Sequence, residues 1–273
     1  MPITTLFESP PLSVIDYRCT ATPADRPFAE QHSTFSLSYV RKGTFGCRAR
    51  GQSFDLVPGS FLIGYPGDEF MCTHEHHVCG DECLSFQFAP DLADAVEGDR
   101  AAWHTAALPP LAELVPVGAL AQAAADGQGT VSLEEAGVLL VGRFLEVVTG
   151  RAASAQPPRP PARKRVIDAA LRIAEQSHEA LSLATMASWA GMSPFHFVRV
   201  FARLLQLTPY QYLIRCRLRQ AARLLAERER PITTIAYDVG FDDLSHFIRT
   251  FRHAAGVSPR RFRDTRRLFA EVH

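Results

Sequence analysis

Two hydrophobic periodicities divide the chain. Between residues 30 and 90, apolar and polar positions alternate in short runs at 36–40, 45–49, 53–57, 61–63 and 84–88. Turn signals at Lys42-Gly43, Pro58-Gly59 and Pro66-Gly67 separate these runs. Side chains alternate across a strand, so this pattern predicts several short strands in an all-β barrel or sandwich. From about Leu108 the spacing becomes helical. Ser132-Leu-Glu-Glu135 is a capping box, and the helix after it is predicted to carry Val138, Leu139, Gly142, Leu145 and Val148 on one face and to stop at Gly150. Prolines at 157, 158, 160 and 161 predict an extended linker over residues 151–162. Everything after Arg163 is helix-periodic.

In this C-terminal stretch a single arrangement occurs twice. The first copy runs Ala187, Gly191, Phe197-x-Arg199-x-Phe201, Pro209, Tyr212, and the second runs Ala236, Gly240, Phe247-x-Arg249-x-Phe251, Pro259, Phe262. Ala and Gly are four positions apart in both, and the second Phe precedes Pro by eight in both. Each copy reads as a helix-turn-helix. Ser193-Pro194 predicts the start of the second helix of the first copy. Helical spacing turns Phe197, Val200, Phe201 and Leu204 inward there, and leaves Phe195, Val198, Arg199, Ala202 and Arg203 outward. In the second copy Phe247, Thr250, Phe251 and Ala254 are predicted inward. Ser245, Ile248, Arg249 and Arg252 are predicted outward, with Leu244 at the helix start. Residues 213–228 read as a connecting helix of about 24 Å, at about 1.5 Å per residue.

Charge gives this repeat a partner. The whole chain of 273 residues has a formal net charge of zero. Residues 162–273, however, hold 19 Lys/Arg against 10 Asp/Glu, and the remainder holds 10 against 19. A basic module joined to an acidic one suits a polyanion. An outward Arg on a helix can donate two hydrogen bonds to guanine, and outward apolar groups can meet thymine methyls. Two such helices on a rigid connector suit successive major grooves of duplex DNA, roughly 34 Å apart.

Residues 163–267 resemble the DNA-binding domain of the AraC/XylS family of bacterial transcription regulators. The resemblance is carried by Ile232-Thr-Thr-Ile-Ala-Tyr-Asp-Val-Gly-Phe-Asp-Asp-Leu-Ser-His-Phe-Ile-Arg-Thr-Phe251 and by Gly256-Val-Ser-Pro259. It implies an α+β chain with four segments: a cupin-like β-barrel sensor (1–107), a helical dimerisation segment (108–150), the linker, and an all-α domain with two helix-turn-helix motifs. It also implies a homodimer that binds double-stranded promoter DNA, responds to an effector, works with RNA polymerase and is not an enzyme. Base contacts would come from Phe195, Val198, Arg199, Leu244, Ser245, Ile248 and Arg249. Arg203 and Arg252 complete the candidate surface. Leu244 replaces the polar residue usual at its position.

One motif lies outside this scheme. Cys72-Thr-His-Glu-His-His-Val-Cys-Gly-Asp-Glu-Cys83 crowds thiols and imidazoles, and the chain has six cysteines in all. Without a signal peptide or membrane span the chain reads as cytoplasmic, where cysteines stay reduced. Cys72, His74, His76, Cys79 and Cys83 are therefore candidate ligands for zinc or another transition metal. Thiol redox sensing and inert cysteines are the other two readings. A metal-dependent cupin enzyme fused to the DNA-binding domain is the alternative function. Gly67, His74-Glu-His76 and Glu82 approach a cupin metal motif, although the intervals differ and Ala89 stands where a glycine is expected.

Overall fold

A computed structural model of the chain describes residues 3–74, 80–91, 100–150, 160–226 and 230–270. The chain divides into two compact units, residues 1–157 and 158–273. Among the described residues no helix is long and apolar enough to cross a membrane.

The first unit is built on two antiparallel sheets. The larger has the order β1 (Ile3–Ser9), β2 (Leu12–Arg18), β9 (Glu82–Phe88), β4 (Phe35–Lys42), β7 (Phe61–Gly64), β10 (Ala107–Leu108). The smaller has the order β3 (Ala29–Gln31), β8 (Glu69–Thr73), β5 (Phe45–Ala49), β6 (Gln52–Leu56). All five runs of alternating residues form strands. Strands outside those runs include β2, whose Leu12, Val14 and Asp16 are buried while the residues between them are not. Leu12, Val14, Leu37, Phe86 and Phe88 form one side of the core, and Trp103 lies with its ring centroid 5.1 Å from that of Phe35 and 5.3 Å from that of Phe144.

Phe144 comes from the longer of two helices, α1 (Val115–Ala125) and α2 (Leu133–Thr149). Ser132 caps α2 by accepting from the Glu135 N–H at 3.1 Å, and Gly150 ends it in the left-handed region at φ 66°. Its buried face only partly matches the predicted one: Val138 and Leu145 are buried as expected. Leu139, Gly142 and Val148 are only half-buried, whereas Gly137, Leu140, Val141 and Phe144 are in the core. The helix lies directly on β2: a Cβ at Gly137 would stand 2.6 Å from a methyl of Leu12. That close approach rotates the buried face away from the one that spacing alone suggested.

The second unit is helical. Its members are α3 (Pro160–Glu175), α4 (Leu183–Trp189), α5 (Pro194–Leu205), α6 (Pro209–Ala226), α7 (Ile232–Asp238), α8 (Leu244–Ala255) and α9 (Pro259–Ala270). Helix α3 begins inside the stretch expected to be extended. Proline is compatible with a first helical turn, because no carbonyl awaits its missing N–H there. Residues 151–159 of the expected linker lie outside the described residues. Helix α6 starts four residues earlier than predicted and is about 27 Å long at about 1.5 Å per residue. Residues 227 and 228, the end of the predicted connector, lie outside the described residues.

Arg217 on α6 is the polar centre of this unit and is only 8% exposed. Its Nε donates to the Ser177 carbonyl at 2.7 Å and its terminal nitrogen to the Glu179 carbonyl at 2.8 Å. The guanidinium also lies 5.8 Å from the Phe241 ring centroid. Gly240 passes beside it with φ +99°, and a Cβ there would come within 2.8 Å of the His178 carbonyl oxygen. Arg217 thus ties the loop before the first motif to the turn inside the second. Burial lowers its pKa from the ordinary guanidinium value.

Two stability changes are expected. Arg217→Met leaves two carbonyls without their donor, at about 1–3 kcal/mol each, and should lower the urea midpoint by the equivalent of about 2 kcal/mol or more. Gln206 ends α5 at φ 58° where Gly256 ends α8 at φ 70°. Gln206→Gly should therefore raise the midpoint by about 0.5–1 kcal/mol, since a left-handed conformation strains a side-chain-bearing residue.

Candidate nucleic-acid interface

Each repeat folds as two helices, α4–α5 and α7–α8, joined by a turn containing a glycine with positive φ, Gly191 at 59° and Gly240 at 99°. The second helix of each has a side-chain cap. Ser193 accepts from the His196 N–H at 3.3 Å. Asp243 accepts from His246 N–H at 2.8 Å and Ser245 N–H at 3.0 Å, and these bonds hold its carboxyl below the usual carboxylate range. The Asp243 cap is present above that lowered pKa and lost only as pH falls through it.

Helix α8 divides as the sequence predicts at most positions. Phe247 and Phe251 are buried with ring centroids 5.7 Å apart, and Phe251 meets Phe262 of α9 edge-on. Ser245, Ile248, Arg249 and Arg252 are exposed and line one surface concavity with His253 and Gly256. Ile248 is 39% exposed, a large apolar group held in water by its neighbours' burial. Three positions depart from the expected division, with Thr250 half-buried rather than inward. Leu244 is half-buried and packs against the core around Phe247, so it is no free outward group. Ala254 is exposed instead of inward, because the core beneath the last turn ends at Phe251.

Helix α5 differs more. Phe197, Val200 and Phe201 are buried as predicted. Phe195 and Val198, expected outward, are 7% and 0% exposed. The reason is α3, which packs on α5 in addition to α4 and α6. More of the circumference of α5 is therefore covered. Arg199 remains half-buried, with its guanidinium 5.3 Å from the Phe195 ring centroid. Phe195 is thus a platform beneath Arg199. Arg203 is also half-buried. His196, which outward spacing did not select, is exposed at the start of α5. A signal for it exists in the sequence, since residues 196, 199 and 203 follow helical spacing on one stripe.

Of the cysteine and histidine segment, Cys72, His74 and Cys83 line one cavity. Cys72 on β8 stands opposite Cys47 on β5, and the hydrogen bond it donates toward Cys47, followed by burial, pushes its thiol up. Cys83 on β9 donates to Asp81 at 3.5 Å and is likewise raised by burial. His76 and Cys79 lie outside the described residues. His74 instead faces Cys19, with Sγ and Nε2 3.7 Å apart, and Asp81. Neither Cys19 nor Asp81 is singled out by the sequence motif. Glu82, the carboxylate of the cupin-like pattern, pairs with Lys42 at 3.4 Å and Arg41 at 3.7 Å, and it does not line the cavity that holds His74.

Residues 186–265 match a family model described as a helix-turn-helix domain. A probable transcriptional regulator, LumQ, of Photobacterium leiognathi is 34% identical over 90 residues, covering 33% of this chain and 36% of its own. The arabinose operon regulatory protein of Salmonella typhimurium is 32% identical over 105 residues, covering 38% of this chain and 37% of its own. The match thus spans little more than a third of each relative's length. Among solved structures, the DNA-binding domain of AdpA in complex with a target DNA is 31% identical with a TM-score of 0.37, covering 38% of this chain and 94% of that one. Residues 186–265 thus form a helix-turn-helix domain similar to that of AraC/XylS-type transcription regulators.

Proposed function

We propose that the chain is a sequence-specific DNA-binding transcription regulator whose two reading helices, α5 and α8, enter major grooves of promoter DNA. The observation that carries this reading is the divided α8 helix. Its Phe247 and Phe251 are spent on the core, and Ser245, Ile248, Arg249 and Arg252 are presented together on an open surface. A solvated helix face has little use for an exposed Ile between arginines, whereas a base-reading face does. Relatives described as operon regulatory proteins favour the same reading.

The two reading helices contribute unequally. Helix α8 offers Ser245, Ile248 and Arg249 to base edges and Arg252 to phosphate. Helix α5 offers His196, Arg199 and Arg203, with Arg199 pre-oriented over Phe195. Leu244, Phe195 and Val198 support these helices and read no base. The first unit supplies control: a signal received there alters how the helical unit engages DNA. A homodimer formed through residues 108–150 and contact with RNA polymerase complete the reading.

The test is selection of duplexes from a random-sequence pool by the full chain, followed by affinity measurements at fixed salt. Arg249→Ala and Arg199→Ala should each cost roughly 1–3 kcal/mol and relax preference at one base pair. Unchanged specific binding in both variants, or no enriched sequence, would refute the assignment. Val198→Ala should lower stability without shifting base preference. The logarithm of the binding constant should fall linearly with the logarithm of salt concentration, and Arg252→Ala should reduce that slope by about one. An unaltered slope would remove Arg252 from the phosphate contacts.

A further inference from the structure

We propose that Cys19, His74 and Asp81 form a binding site for a zinc-class divalent cation in the first unit. The three residues come from three strand ends. Cys19 follows β2, His74 follows β8, and Asp81 precedes β9. One ligand atom from each lies within 4.8 Å of the other two. The backbone fixes two of them together, since the Cys19 N–H donates to the Asp81 carbonyl at 2.8 Å. Gly80 makes this contact possible: a Cβ there would stand 1.7 Å from the Cys19 carbonyl oxygen.

The spacing suits a metal. Zinc bonds of about 2.3 Å to sulfur and about 2.0–2.1 Å to nitrogen set a tetrahedral S···N edge of about 3.6 Å. The Cys19 Sγ to His74 Nε2 distance is 3.7 Å. Asp81 and His74 are 6% and 9% exposed, and Cys19 is half-buried. One thiolate and one carboxylate balance a divalent charge, so the loaded site carries no net charge out of water. Thiolate, imidazole and carboxylate together select a zinc-like ion over magnesium or calcium, which prefer oxygen alone. Cys83 donates to the Asp81 carboxylate at 3.5 Å and orients it, as outer groups around metal ligands do. All four residues line one cavity, together with Cys72, Ser85, Gln87 and the apolar Phe70, which leaves room for a further ligand. The site is independent of the DNA-binding reading.

The test uses the full chain, purified without an affinity tag and stripped with a chelator, then titrated with Co²⁺ and separately with Zn²⁺. One equivalent should bind, and cobalt should give a sulfur-to-metal charge-transfer band. Cys19→Ser should abolish that band, and Cys19→Ser and Asp81→Asn should each weaken zinc binding at least about a hundredfold, a loss larger than outer-shell changes produce. Cys72→Ser should keep both band and stoichiometry. In the unaltered chain, zinc should slow alkylation of Cys19, followed by peptide mass spectrometry, which needs no variant to fold. Absence of saturable binding, a band that survives Cys19→Ser, a band lost in Cys72→Ser, or Cys19 alkylation indifferent to zinc would each overturn the proposal.

Discussion

The helical unit depends on one buried cation. Arg217 satisfies the carbonyls of Ser177 and Glu179 and lies against Phe241, so a single side chain joins the approach to the first motif with the turn of the second. A buried guanidinium is costly unless its donors are used. Here the compensation comes from carbonyls and a ring face, which have fixed directions. The connecting helix therefore has one rotation about its axis, and the two reading helices are held at a defined phase. Apolar packing around Ile214, Leu225 and Phe247 supplies the bulk of the cohesion. It would tolerate small rotations that Arg217 does not.

That fixed frame presents two unequal surfaces. Matching Phe197 to Phe247 aligns Phe195 with Ser245 and Val198 with Ile248. Both positions are buried in α5 and exposed in α8, because α3 covers part of α5. A duplicated sequence has thus become one helix that spends its surface on cohesion and another that keeps it for contact. Arg199 retains its place by stacking on the residue that no longer faces solvent.

Much of this is legible in the residues themselves. The repeat, the caps at Ser193 and Ser132 and the Phe pairs follow from local spacing and hydrogen-bonding rules. What stays hidden depends on neighbours distant in sequence. Nothing local says that α3 will lie on α5, so Val198 reads as outward. Strand β2 carries the alternation but precedes the five runs, and its register sets Arg18 opposite Glu82. Continuing that register by one residue brings Cys19 to Asp81. A motif confined to residues 72–83 could not reveal a partner more than fifty residues away. The helix face at Leu139 departs from its spacing for the same reason, since Gly137 is chosen by Leu12.

The order of the larger sheet has a consequence for how the chain is made. Strand β9 lies between β2 and β4, so the β1–β2 pair, although made well before β9, has no inner neighbour until residue 88 has followed. Until then it is a two-stranded ribbon, which is marginal alone in water. Long-range closure of this kind is slow and leaves edges open to wrong partners. The helices after Pro160 meet partners nearer in sequence than β2 and β9 are to each other. The half of the chain synthesised first is therefore the half more dependent on protection during synthesis, and a slow step in its maturation would set how soon a working molecule exists.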